Sequence, residues 1–304
     1  MFSTNTIKMS EEEFRLLRDL VYNLSGIYFD SSSLFLLERR LSYRVKAHGM
    51  DTFKDYYRFL LYNPKKEEEL STVLDVLTTN ETYFFREMYQ LKAFKEEILP
   101  EIKERKAEKR RLRIWSAGCS TGEEPYTIAM LILESGGFED WNVEIFGSDI
   151  CQRVLSVARK GIYTESSFRT TEGRYKKRFF ESCDGKHIVK DEVKRLVSFG
   201  HLNLLDADRI SLLGKMDVIF CRNVIIYFDM EAKKRVIENL YNRLYEGGYL
   251  LQGHSESLIN ISTAFTLVHL KNDMVYRKPF SVKIPTKTPI DEREMASSHI
   301  QRYG

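Results

Sequence analysis

The chain has 304 residues, 43% of them hydrophobic and 30% charged, with only six prolines, enough to bury a sizeable core in one or two globular domains. A net charge of +3 excludes the global basic footprint of a nucleic-acid binder, so a charge-driven partner must meet a local patch. The apolar runs TIAMLIL (127–133) and DVIFCRNVIIYF (217–228) are too short or too interrupted to span a bilayer, and no basic start followed by an apolar run marks a secretory signal. Cys119, Cys151, Cys183 and Cys221 form no Cys-x-x-Cys pair, which argues against zinc and for reduced thiols in the cytoplasm.

Residues 10–75 read as helices. SEEEFRLLRDLVYNLSG opens on a Ser-x-x-Glu capping signal and closes on Gly26. SSSLFLLERRLSYRVKAHGM starts on a serine cap and ends near Gly49, with Leu34, Leu37, Leu41 and Val45 on one apolar stripe. Arg39, Tyr43 and Lys46 fall opposite, and Arg40 and Arg44 on the flank. TFKDYYRFLLYN and KKEEELSTVLDVLT continue the helical pattern. The stretch TTNETYFFRE (78–87) comes next, with Thr78 and Glu81 at capping-box spacing, and is expected to begin a helix.

From about residue 112 the pattern becomes strand–helix alternation. LRIWSAG, VEIFGSD, KMDVIFC and GYLLQGH read as buried strands, separated by PYTIAMLILES, CQRVLSVARKG and EAKKRVIENLYNRLYEGG. This order predicts a parallel doubly wound sheet. KHIVKDEVKRLVSFGHLN alternates instead, so an antiparallel β insertion is expected at about 163–202. After Pro279 the sequence turns polar and reads as a flexible tail.

Three strand ends carry polar residues where open α/β sheets bind ligands. In IWSAGCSTGEEPYTIA (114–129) a loop with Gly118 and Gly122 precedes a helix whose first turn holds Glu123, Glu124 and Pro125. It is neither Gly-x-Gly-x-x-Gly nor a phosphate-binding loop. Two glutamates would repel a pyrophosphate and tolerate a cationic cofactor, although the same loop also reads as an acidic helix start. VEIFGSDI ends in Asp149, which suits either ribose hydroxyls or the N-cap of the next helix. In DVIFCRNVIIYFD, Arg222 and Asn223 break the run where the strand should end. Gly253-His254-Ser255-Glu256-Ser257 lacks the second glycine of a nucleophile elbow, so a serine hydrolase is not expected.

Taken together, TTNETYFFRE, WSAGCSTGEEPYTIA, FGSDI, HLNLL and FCRNVIIYFD resemble, in order and spacing, the signatures of the CheR-type chemotaxis-receptor glutamate methyltransferases, over roughly residues 10–278. The resemblance implies a class I S-adenosylmethionine-dependent methyltransferase, a Rossmann-like doubly wound α/β sheet with a small antiparallel β subdomain, preceded by an all-α N-terminal domain. It implies helical residues 1–77, a cofactor-contacting linker or helix start at 78–90, a methyltransferase domain at 91–279 and a tail at 280–304. The cofactor contacts it implies are Asn80, Thr82, Arg86, Glu124, Asp149, Asn203, Leu204, Cys221 and Arg222. Arg86 and Tyr227 would act beside the transferred methyl, though Tyr227 in IIYF also reads as a core aromatic. The reaction implied is methyl transfer from S-adenosyl-L-methionine to glutamates of a receptor's cytoplasmic helical bundle, leaving S-adenosyl-L-homocysteine.

The helix at 34–48 resembles the family's receptor-docking helix. Arg39, Arg40, Arg44 and Lys46 against Glu38 give it a local charge of +3, suited to an acidic partner. The turn ESCDGKH (181–187) carries only Gly185, shorter than the loop with which some members hold a receptor's C-terminal tether, so a tether-independent enzyme is expected. It is expected to be a cytoplasmic monomer that neither binds nucleic acid nor enters the membrane. Three rivals are weighed: a methyltransferase acting on another substrate, a non-catalytic adaptor of the same fold, and a dinucleotide-dependent oxidoreductase, which the 118–122 loop disfavours. The Asn/Asp-Pro-Pro-Tyr/Phe segment of amino-group methyltransferases is missing from 221–229.

Overall fold

The computed structural model describes residues 7–281. Beyond Ser281, the tail expected after Pro279 lies outside the described residues.

Four helices come first: α1 (Glu11–Ser25), α2 (Leu34–Ala47), α3 (Phe53–Tyr62) and α4 (Lys66–Leu77). The capping box forms as expected, with Glu13 N–H donating to Ser10 and Ser10 N–H donating to the Glu13 carboxylate. Gly26 closes α1 in the left-handed region at φ 75°. Leu17 and Val21 of α1 pack on Leu37, Leu41 and Val45 of α2, and on Phe53, Tyr56 and Val73. The expected apolar stripe of α2 is therefore its core face, with Leu34 partly buried at its start.

The remainder is a three-layer α/β domain. Strands β1 (Arg111–Ala117), β2 (Asn142–Asp149), β6 (Val197–His201), β7 (Met216–Cys221) and β8 (Leu244–Gln252) run parallel, and β10 (Met274–Arg277) and β9 (Thr266–His269) extend the sheet antiparallel, in the order β6-β2-β1-β7-β8-β10-β9. Alternate residues serve opposite faces. Leu112 and Ile114 of β1 meet the apolar face of the helix Glu123–Ser135, while Trp115 and Ala117 share a cluster with Val236, Ile237 and Leu240 of the helix Met230–Arg243. From β1 the chain order runs outward to β6 on one side and through β7 and β8 on the other, before the β9–β10 hairpin closes the edge in reverse. This makes the carboxyl ends of β1, β2 and β7 the topological switch point where such sheets bind ligands.

Two expectations are corrected. The alternating segment 163–202 is not one antiparallel unit: β3 (Ile162–Tyr163), β4 (Phe180–Cys183) and β5 (Lys186–Val189) form a small sheet, but Val197–His201 leaves it to pair in parallel with β2. As the edge strand of the large sheet, β6 has no fully buried residue and so lacks the continuous apolar run of the central parallel strands. The β4–β5 turn is tight, with Asp184 and Gly185 both at positive φ (48° and 71°) between paired Cys183 and Lys186, as a two-residue hairpin requires.

Nor does TTNETYFFRE start a helix. Thr78 is the C-cap of α4, residues 79–87 run as an irregular strap, and helix resumes at α5 (Met88–Ala93). Tertiary anchoring outweighs the local capping signal. Phe84 N–H donates to Ser167 O (2.9 Å), and its ring sits among Tyr163, Phe168 and Phe180 of the β insertion. Phe85, at φ 60°, turns the other way onto Tyr175. Glu81, the residue meant to close the box, pairs with Arg169 (2.7 Å). Adjacent aromatics pulled into separate pockets cannot keep helical spacing.

The helical domain meets the sheet domain through an Ile27–Phe228 bridge, a Tyr28 N–H to Tyr227 O bond (2.9 Å) and an Asn203 Nδ2 to Leu24 O bond (2.8 Å).

Candidate active site

A cleft of about 220 Å³ opens at the switch point, roofed by the helical domain and the strap. Each wall traces to a sequence element that ends there. The loop after β1 contributes Gly118, Cys119 and Ser120, and β2 ends in Asp149. Gly118 sits at φ 81°, and a Cβ there would lie 2.5 Å from Val224 Cγ2, so only glycine lets the loop and the 222–228 turn approach.

Asp149 is 8% exposed. Its Oδ2 accepts Ser120 N–H (2.8 Å) and its Oδ1 accepts Cys151 N–H (2.9 Å), leaving further lone pairs for a diol. Burial pushes its carboxyl upward, against the pull of these N–H donors.

Arg222 is buried at the end of β7 and organises the opposite wall. It donates to Glu124 Oε2 (2.9 Å), to Glu87 Oε2 (3.1 Å) and to the Arg86 carbonyl (2.6 Å). Ser116 Oγ holds the other Glu124 oxygen at 2.7 Å. Burial opposes ionisation of Glu87, but Arg222 and Asn223 outweigh it and hold that carboxyl below its usual range. Arg222 Nε is buried with no partner among the described residues.

The strap supplies Asn80, Thr82, Tyr83, Phe85 and Arg86 to the cleft. Asn80 O accepts Ser120 Oγ (3.2 Å), and Arg86 Nη1 donates to Glu81 O (2.8 Å) while stacking near Tyr83. Tyr227, about one-third exposed, reaches the cleft from a single turn of helix at Ile225–Tyr227. Phe84 belongs to the core, whereas Tyr83 and Phe85 also wall the cleft.

Asn80, Thr82, Arg86, Glu124, Asp149, Asn203, Leu204, Arg222 and Tyr227 thus converge on one cleft. Cys221 does not: its side chain is fully buried within β7, and its carbonyl accepts Gln252 Nε2 at 3.3 Å. Of the four cations on α2, Arg39 and Lys46 are exposed. Arg44 is committed to Glu69 through two bonds (2.9 and 2.5 Å), and Arg40 lines the cleft.

Sequence reasoning missed Glu87 and Glu256. Glu256 accepts backbone N–H groups from Gly253, Asn223, Val224 and Ile225 at 2.7–2.8 Å, fixing the turn that carries Arg222 and Tyr227. No local signal in HSES marks it, because its partners Asn223, Val224 and Ile225 lie more than 30 residues away in the chain.

These residues fit an adenosine-bearing cation: acids for a diol and positive charge, an unpartnered Nε donor, and an apolar floor of Ile150, Leu202 and Leu204. Among the described residues no acid–histidine–cysteine cluster could hold a metal, and no helix is long and apolar enough to cross a membrane.

Two family models match the chain: the CheR methyltransferase SAM-binding domain over residues 80–274 and the CheR all-alpha domain over 12–78. A chemotaxis protein methyltransferase 2 of Vibrio cholerae is 36% identical over 287 residues, covering 93% of this chain and 99% of that protein. A chemotaxis protein methyltransferase of Vibrio parahaemolyticus is 37% identical, covering 89% and 98%. A chemotaxis protein methyltransferase 2 of Pseudomonas aeruginosa is also 37% identical, covering 86% and 92%. The chain belongs to the CheR family of S-adenosylmethionine-dependent chemotaxis methyltransferases.

Proposed function

We propose that the protein methylates glutamate side chains on the cytoplasmic helical bundle of chemotaxis receptors, yielding methyl esters and S-adenosyl-L-homocysteine. The observation that carries this reading is that Arg86 and Tyr227 share the cleft while its acids are already engaged: Glu124 by Ser116 and Arg222, Asp149 by two backbone N–H groups, Glu81 by Arg169. Burial pushes the Cys119 thiol far up and out of use as a base. An amine or alcohol acceptor would need a base to take its proton. A glutamate carboxylate, with an ordinary pKa near 4.3, is nucleophilic at pH 7 without one.

When bound, the cofactor supplies an electrophilic methyl group on sulfur, which a carboxylate oxygen can take with no proton transfer. Asp149 would accept from its ribose, Ile150, Leu202 and Leu204 would give its base an apolar surface, and Asn80 and Thr82 would hold it from the strap. Glu124 and Arg222 hold each other and the wall behind it. Arg86 orients the incoming carboxylate through charge-assisted hydrogen bonds, and the Tyr227 hydroxyl donates beside it. The strap and helical domain exclude water, partly desolvating the acceptor.

Arg39 and Lys46, exposed on α2, steer an acidic acceptor. The tight Asp184–Gly185 turn supports action without a receptor tether. Incubation with methyl-labelled S-adenosylmethionine and receptor-rich membranes, followed by mild base, should release labelled methanol. A base-stable product would rule out a carboxyl ester, and unlabelled receptors would favour the adaptor.

A further inference from the structure

Arg40 lies one residue beyond the exposed Arg39 on α2, but its side chain turns inward. Nη1 donates to Leu77 O at 2.7 Å and approaches Val76 O at 3.4 Å. These carbonyls end α4, whose last turn carries no basic residue of its own. Arg40 therefore supplies, from a different helix, the positive charge and donor that an open carbonyl end favours.

The strap begins at that same end of α4. Thr78, Thr79, Asn80 and Thr82 line the cleft together with Arg40 itself. Asn80 Nδ2 donates back to Thr78 Oγ1 (3.1 Å), and Ser120 Oγ of the β1 loop donates to Asn80 O (3.2 Å). The chain of contacts runs without a gap from Arg40, through the end of α4, to Asn80 and the loop below it.

We infer that Arg40 is a positioning residue for the cofactor rather than an outward cation for the acceptor. It pins the end of α4 so that Asn80 and Thr82 stand over the cleft. This rests on the reading of Asn80 and Thr82 as cofactor contacts. It also places two tasks on one helix: Arg39 faces outward to a partner while its neighbour fixes the cofactor strap.

The test is calorimetric titration of the full chain with S-adenosylhomocysteine, which needs no acceptor, beside acceptor kinetics at several salt concentrations. Arg40→Ala should weaken S-adenosylhomocysteine binding about tenfold, as expected for loss of one charge-assisted bond. Arg40→Lys, which keeps a donor and a charge, should recover much of that loss. The KM for acceptor in Arg40→Ala should keep its wild-type salt dependence, whereas Arg39→Ala should flatten it. Unchanged S-adenosylhomocysteine affinity with a raised, salt-flattened acceptor KM would return Arg40 to docking and overturn the inference. Equal weakening in Arg40→Ala and Arg40→Lys, alongside an equal fall in melting temperature, would overturn it as mere folding damage. A wild-type chain that binds no S-adenosylhomocysteine would remove the cofactor cleft itself, and the inference with it.

Discussion

Replacing Glu256 by glutamine should damage this protein more than its setting in HSES implies. Oε1 accepts Val224 and Ile225 N–H, and Oε2 accepts Asn223 and Gly253 N–H. A glutamine must turn its NH2 group toward one of these pairs, leaving two donors facing a donor. Each partly buried N–H left without an acceptor costs about 1–3 kcal/mol, so the variant should lose roughly 2–6 kcal/mol in urea unfolding. The turn so released carries Arg222, Asn223 and Tyr227, with Asn223 in the left-handed region at φ 59°, a conformation asparagine tolerates. Below its melting transition Glu256→Gln should therefore also bind S-adenosylhomocysteine more weakly. A stability loss under about 1 kcal/mol, or wild-type cofactor affinity, would refute the claim that this carboxylate builds the turn.

Arg44→Ala should destabilise the helical domain by about 3 kcal/mol, because it strips the bidentate partner from a buried carboxylate; a normal melting curve with a raised acceptor KM would instead assign Arg44 to docking. The same carboxylate predicts a pH dependence. Burial opposes ionisation of Glu69, but bonds from Arg44, Tyr56 and His48 outweigh it and lower its pKa, so its contribution is full above the unfolded value near 4.3 and fades as pH falls through the lower folded value. Stability measured by denaturant from pH 7 to pH 3.5 should fall less steeply in Glu69→Gln than in the wild type, and parallel curves would contradict this. Asp149→Ala should abolish S-adenosylhomocysteine binding in calorimetry; unchanged affinity would take Asp149 out of the site.

What the sequence made legible obeys a physical line. Periodicity revealed α1, α2, the four central parallel strands and the apolar stripe of α2, because burial imposes those patterns locally. The polar residues at strand ends revealed Glu124, Asp149 and Arg222, because a strand that stops at a cleft must change character there. Edge strand β6 was misread because it lacks the continuous apolar run of a central parallel strand, and β9 and β10 passed unread. Glu87 and Glu256 were missed for a different reason: each bonds groups over 30 residues away in the chain, so nothing in their neighbourhoods distinguishes them from solvated acids. Arg40 and Arg44 fail likewise, since a helical wheel gives direction but not the carbonyl or carboxylate waiting there.

The strap shows what such long-range bonds accomplish. Among the described residues, seven non-glycine positions have positive φ; three of them, Phe85, Ser120 and Asn223, line this cleft, and a fourth, Glu87, bonds Arg222 and Asn223 in its wall. The left-handed backbone costs Phe85, Glu87 and Ser120 about 1–2 kcal/mol each, whereas asparagine tolerates it; each of the four is held by a bond into another element: Phe85 N–H by Thr127 Oγ1 (3.2 Å), Glu87 by Arg222, Ser120 N–H by Asp149, and Asn223 N–H by Glu256. Backbone strain fixed from outside in this way is preorganisation. The segments that shape the cleft are set by the fold before any ligand arrives, so binding energy need not be spent on ordering them. Because Arg222 bonds both the strained Glu87 carboxylate and the Arg86 carbonyl, the direction in which Arg86 leaves the backbone is decided by the sheet domain. That direction is what a carboxylate acceptor would meet.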